Sequence, residues 1–194
     1  AICYLGNGTV TLDHAVVKRN AASGDGGAIY AAQGILVLTN HADVKSNTAG
    51  GNGGAIYAGN LDITVEDGAS MTGNEAQSGG ESYAETATIQ VQKGDEEAPS
   101  ISSNYALATD GNGGAIFLAQ GSVSAAGVTM TGNTAASGNG GAIYAGSAAV
   151  SLSDNSSLAG NEAKSGGAVY AQSGTVAVSG GSMSGNTASD GNGG

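Results

Sequence analysis

Tryptophan is missing from this chain, and proline, phenylalanine and cysteine each occur once. One proline, with glycine in no strict three-residue period, excludes collagen. The lone Cys3 cannot close an internal disulfide, so a disulfide-stapled scaffold is excluded too. Cations are scarce: five Lys and Arg face sixteen Asp and Glu, for a net charge of −11. Nucleic acid and anionic membrane both need cationic surface, so neither is expected as a partner. No apolar run approaches the ~20 residues that span a bilayer, so no membrane insertion is expected. No secretory pattern opens at Ala1, which places any export signal or anchor outside this stretch.

What the chain has instead is glycine, 36 residues in 194, with abundant Ala, Ser, Thr and Asn. Such a composition can mean disorder. Evenly spaced Ile, Val, Leu and Tyr argue against it. The phrase Gly-Gly-Ala-(Ile/Val)-(Tyr/Phe) stands at 26–30, 53–57, 113–117, 140–144 and 166–170. A worn copy, Gly79-Gly80-Glu81-Ser82-Tyr83, fills the gap, and Ala1-Ile2-Cys3 supplies the tail of another. The residue after the glycine pair falls at 1, 28, 55, 81, 115, 142 and 168, so the period is about 27 residues.

A second phrase keeps step with the first. Asn20, Asn47, Asn74, Asn104, Asn133, Asn161 and Asn186 occur once per repeat. Three residues before each stands an apolar side chain: Val17, Val44, Met71, Ile101, Met130, Leu158 and Met183. Between the phrases run short alternations such as Leu61-Asp62-Ile63-Thr64-Val65, the period of a strand with one buried face. No stretch has helical periodicity.

About 27 residues with three short strands make one coil of a parallel β-helix. The fold expected is therefore all-β: a right-handed solenoid of seven coils, without caps, about 34 Å long at the spacing of paired strands. Equivalent residues then stack in columns. Ile2, Ile29, Ile56, Ile116, Ile143 and Val169 form a buried column interrupted at Ser82. Tyr30, Tyr57, Tyr83, Phe117, Tyr144 and Tyr170 form an aromatic column on the outer face, with Cys3 in the same line. The Asn residues turn inward at a corner, where amides hydrogen-bond between coils. The glycine pairs take another corner, where positive φ or close backbone approach is required. The coil at 81–114 is long, with additions at Lys93–Pro99 and Tyr105–Asp110, and insertions in a solenoid map to surface loops.

The two phrases together resemble the repeats of chlamydial polymorphic outer-membrane proteins and related bacterial adhesin-like β-helices. In that family the second phrase reads Phe-x-x-Asn; here Val, Met, Ile or Leu takes the place of Phe in every copy. The resemblance covers the chain coil by coil. It implies a right-handed β-helical passenger or stalk at the cell surface, often serving adhesion.

Chemistry is sparse. Glycoside hydrolysis needs two carboxylates facing one cleft, and Asp62 and Glu66 have no evident carboxylate neighbour in adjacent coils. Arg19 is the only arginine, which disfavours lyase chemistry. His14 and His41 lie 27 residues apart, but two ligands without a third make a poor zinc site. Asp95, Glu96 and Glu97, with Glu81 or Glu85, form the one calcium candidate, against the simpler reading of a solvated acidic loop. A threonine array for binding ice would rest on Thr9 and Thr11 alone. No cofactor is expected. The reading is a non-enzymatic, extracellular or cell-surface structural fibre or adhesin stalk, with a carbohydrate-active or carbohydrate-binding site near 93–110 as the alternative. Gly191-Asn192-Gly193-Gly194 joined to Ala1-Ile2 would restore the repeat phrase, so units are expected to follow one another end to end. A host or cell-surface glycan or protein is the other partner expected.

Overall fold

The computed structural model describes residues 1–194 and contains β-strands but no helix. Its strands pair in parallel across three sheets, each holding one column of strands from successive coils. The chain is a β-solenoid of seven turns, as the period requires.

The first sheet differs in one respect from three short strands per coil. In the second to sixth coils it is built of strands of 10 or 11 residues, Ile29–Thr39, Ile56–Val65, Ser82–Gln92, Ile116–Ala126 and Ile143–Ser153. The glycine phrase and the alternating run, which look like separate strands in sequence, are one strand that bends without losing its partner. Two of the five strands carry a positive-φ glycine at the bend, Gly34 at 117° and Gly121 at 121°, where the others have Leu61, Ala87 and Ala148. The second sheet uses three-residue strands such as Ser70–Thr72 and Ser100–Ser102, and the third uses strands as short as Thr48–Ala49.

Register is strict. Ile29, Ile56, Ser82, Ile116 and Ile143 are consecutive partners, and the isoleucines among them are fully buried. Val44, Met71, Ile101, Met130 and Leu158 make the opposing column, also buried. Backbone bonds saturate along the axis, and apolar side chains of one coil lie on those of the next, as a solenoid core requires.

Two corners are made by backbone conformation. At the glycine pair, Gly53 has φ 68°, and a Cβ on Gly54 would lie 2.1 Å from the carbonyl oxygen of Gly80. The first position therefore needs left-handed φ and the second needs room. At the other corner the residue before each ladder Asn is left-handed in all seven coils: Arg19, Ser46, Gly73, Ser103, Gly132, Gly160 and Gly185. That residue reverses the chain and turns the following Asn inward.

Coil four carries its surplus in two places. Residues 93–99 form a loop between strands Ser82–Gln92 and Ser100–Ser102. The second addition begins later than the sequence suggests. Tyr105–Ala106 is a strand of the third sheet in register with Glu75–Ala76, so only the residues after Ala106 bulge outward.

Candidate interaction faces

The asparagines form a continuous internal ladder. In each rung the backbone N–H and the side-chain amide of one Asn both donate to Oδ1 of the Asn in the next coil, as Asn74 does to Asn104 at 2.9 and 3.1 Å. The second amide hydrogen goes to the carbonyl of the apolar residue one coil back: Asn74 to Val44 at 3.1 Å, Asn104 to Met71 at 3.2 Å. The apolar-x-x-Asn phrase thus has a mechanism. Its first residue gives a side chain to the core and a carbonyl to the ladder, and its last satisfies both amide hydrogens and Oδ1. Asn47, Asn74, Asn104, Asn133 and Asn161 are buried, while Asn20 and Asn186 close the ladder half-buried.

The aromatic column lies outward, half-exposed. Tyr30, Tyr57, Tyr83, Phe117, Tyr144 and Tyr170 stack face to face, with centroids 4.4–5.5 Å apart and planes within 3–7°. Cys3 continues the line as the partner of Tyr30, and its thiol is free and exposed. Stacking covers the ring faces and leaves their edges to solvent. The Tyr57 hydroxyl donates to Glu85 at 2.5 Å and the Tyr144 hydroxyl to Gln172 at 2.8 Å. Burial within the stack raises the phenol pKa of Tyr57, Tyr83 and Tyr144, and the Glu85 carboxylate adds to it at Tyr57 and Tyr83.

A hydroxyl face, invisible to a search for threonine alone, covers the second sheet in coils three to seven. Ser70, Ser100, Thr129, Ser157 and Ser182 make one outward row, and Thr72, Ser102, Thr131 and Ser184 another, interrupted by Ala159. Thr72 and Ser102 lie within hydrogen-bonding distance across coils at 3.2 Å. The signal was present: Ser or Thr flanks the apolar residue of the Asn phrase in coils three to seven, whereas Val16, Lys18, Asp43 and Lys45 take those places in coils one and two.

Charge is concentrated. Coils three and four carry Asp62, Glu66, Asp67, Glu75, Glu81, Glu85, Asp95, Glu96, Glu97 and Asp110 against Lys93 alone. Coil five, residues 115–141, has no charged side chain.

The calcium candidate is taken apart. Glu81 lies inside the core and Glu85 on the aromatic face, so neither joins Asp95, Glu96 and Glu97. Glu96 is 3.4 Å from His41, and the backbone of Asp95 donates to Asp67. No three His, Cys, Asp or Glu side chains converge on a metal position. His14 sits against Asp13, so the two histidines have separate partners. The Asp13 carboxyl is held below its usual range by the Asn40 amide and then by His14. Asp62 accepts from the backbone of Thr88, and Glu66 from Gln92.

Glu81 is the residue whose place sequence reading missed. It occupies the position of Ala28, Ala55, Ala115, Ala142 and Ala168, is 1% exposed, and its Oε1 has no hydrogen-bond partner. Burial pushes its carboxyl up to about 8, against a small opposing effect from Ser82.

Four stretches, 15–32, 43–59, 127–146 and 149–172, match the Chlamydia polymorphic membrane protein repeat. Each of the four is similar to that repeat. The second stretch runs from the Asn phrase of coil two into the glycine phrase of coil three. Neither a curated protein nor a solved structure matches the chain. Polymorphic membrane proteins are outer-membrane or surface proteins, and their repeats on a β-solenoid fit a surface adhesin-like repeat protein.

Proposed function

We propose that this solenoid is a stalk segment of a surface-exposed adhesin or fibre, whose work is reach, stiffness and display without catalysis. The observation that carries this is the uninterrupted stack of seven in-register coils bearing the matched repeats. Each coil adds about 4.8 Å of axial length, and the Asn ladder ties neighbours together with its own amide groups satisfied. Shaving intact producing cells with protease, followed by mass spectrometry, tests the location. Peptides of this chain are expected in the supernatant before lysis; their release only after lysis overturns the reading.

The same proposal includes axial continuation. Val176, Val178 and Met183 are 46, 48 and 42% exposed, whereas their partners Val150, Leu152 and Leu158 are buried. Another coil laid on that face, from the same polypeptide or a second copy, buries them. Electron microscopy of the purified protein is expected to show rods longer than seven coils. Particles of seven-coil length at every concentration overturn this part.

A further inference from the structure

Beside the aromatic column, on coils five to seven, runs an axial groove of about 370 Å³. The edges of Phe117 and Tyr144 form one wall, and Gln120, Ser147 and Ser173 the other. The second wall is a true column, since Gln120, Ser147 and Ser173 are consecutive strand partners. Gln172 lies across it, with its amide oxygen already held by the Tyr144 hydroxyl and its NH₂ left to donate. Upstream the same column continues through Gln33, Asn60 and Thr86.

Three features select the occupant. First, two of the three strands beneath the groove, Ile116–Ala126 and Ile143–Ser153, are paired on both sides, and the open edge of the third, Val169–Ser173, faces along the solenoid axis. A peptide added as a strand at that edge would extend the stack along the axis and would not fill the groove. Second, neither wall carries a charge at this level, and coil five has no ionised side chain at all. A sulfated or carboxylated ligand would meet no cation, and a cationic one no carboxylate. Third, the groups on offer are amides, hydroxyls and aromatic edges, repeated at the ~4.8 Å strand spacing. That spacing is close to the length of one pyranose residue in an extended β-linked chain. Ring edges carry the positive side of the aromatic quadrupole, which suits sugar oxygens. Amides donate and accept at once, which suits paired hydroxyls.

We propose that this groove binds a neutral, extended β-linked glycan along the solenoid axis, with Gln120, Gln172 and Tyr144 as its principal hydrogen-bonding groups. The assignment rests on the surface-display reading and gives it a ligand class, at a site other than the loops of coil four.

Titration of the whole chain with neutral β-linked hexamers of glucose and of N-acetylglucosamine, followed by calorimetry or NMR, tests it. Saturable binding of either is expected. Replacing both glutamines, Gln120→Ala with Gln172→Ala, weakens it about ten-fold, the loss of two net hydrogen bonds. Tyr144→Phe, which keeps the stack and removes the hydroxyl, weakens it less, and Ser102→Ala on the hydroxyl face leaves it unchanged. Circular dichroism of each variant identifies any that fail to fold, and Tyr144→Phe retains the test if the double variant does. A galacturonic acid hexamer is expected not to bind. The proposal is overturned if neither neutral hexamer binds, if the folded glutamine variant binds as the parent does, or if the acidic hexamer binds equally well. Because cell shaving reads location without any glycan, failure here leaves the surface reading intact.

Discussion

Glu81 and Ser82 replace the Ala-Ile that the other complete coils carry as Ala with Ile or Val, and the replacement has a definite thermodynamic sign. The carboxyl has a pKa of about 8 in the folded chain against 4.5 ordinarily, so the native state holds a proton that the unfolded state has released. The Glu81 contribution to stability is therefore greatest below about pH 4.5, falls through the window between 4.5 and 8, and reaches its full deficit above 8. Denaturant unfolding of the parent and Glu81→Gln at pH 5 and pH 8 checks this: the parent should lose stability across that interval, and the variant should lose much less. Restoring the repeat with Glu81→Ala and Ser82→Ile should stabilise the chain at pH 8 by about 2 kcal/mol or more, the worth of burying one isoleucine. Asn104→Ala works in the opposite direction. It orphans the backbone N–H and an amide hydrogen of Asn74 and the carbonyl of Met71, at about 1–3 kcal/mol per group. A large fall in the unfolding midpoint with an unchanged denaturant slope is expected. Ser103, left-handed at φ 54°, should gain about 1 kcal/mol on replacement by the glycine that Gly73 and Gly132 already supply. Calorimetry of Ser103→Gly reads that shift.

At the scale of elements, strands and loops contribute unequally. The loop of residues 93–99 leaves the in-register pairing of Ser82–Gln92 and Ser100–Ser102 with their neighbours intact. Its contacts to the body include the His41–Glu96 pair, which is about half exposed on both sides, and the Asp95–Asp67 bond. Exposed pairs are worth about 0–1 kcal/mol, and loop length alters closure entropy only slowly. Shortening residues 93–98 to the length of the turn at 66–69 should thus change stability by less than about 1 kcal/mol, read by urea denaturation. The aromatic column is the contrasting element. Its stacked rings titrate above a free phenol at Tyr57, Tyr83 and Tyr144 because burial disfavours the phenolate. The strand content of each coil was legible from its alternation. The union of two apparent strands into one of 10 or 11 residues was not, because a bent strand and a turn share the same glycine-rich text.

At the scale of the molecule, each coil touches chiefly its two neighbours, so stability accumulates by coil. Excising residues 115–141 joins Gly114 to Ala142 within an unbroken phrase. The product should fold, shorter by one strand spacing of about 4.8 Å and less stable, as small-angle scattering and urea denaturation would show. Aggregation of that variant would mean that coil five, the uncharged one, is needed beyond its share of stacking.

The amino-acid sequence by itself determined the coil, its period and the membership of the apolar, Asn and aromatic columns, because a side chain 27 residues on is a spatial neighbour once strands pair in parallel and in register. The inward turn of Asn and the outward line of Tyr follow from the same repetition, which lets a polar or aromatic group satisfy itself only against its own copies. Only the tertiary structure decided where non-repeating residues go. Glu81 enters the core rather than the acidic loop, and Ser and Thr scattered through the text align as one face. Gln120 and Tyr144 come to flank a common groove. Those outcomes depend on how the three sheets meet in space, which the spacing of the repeat does not state.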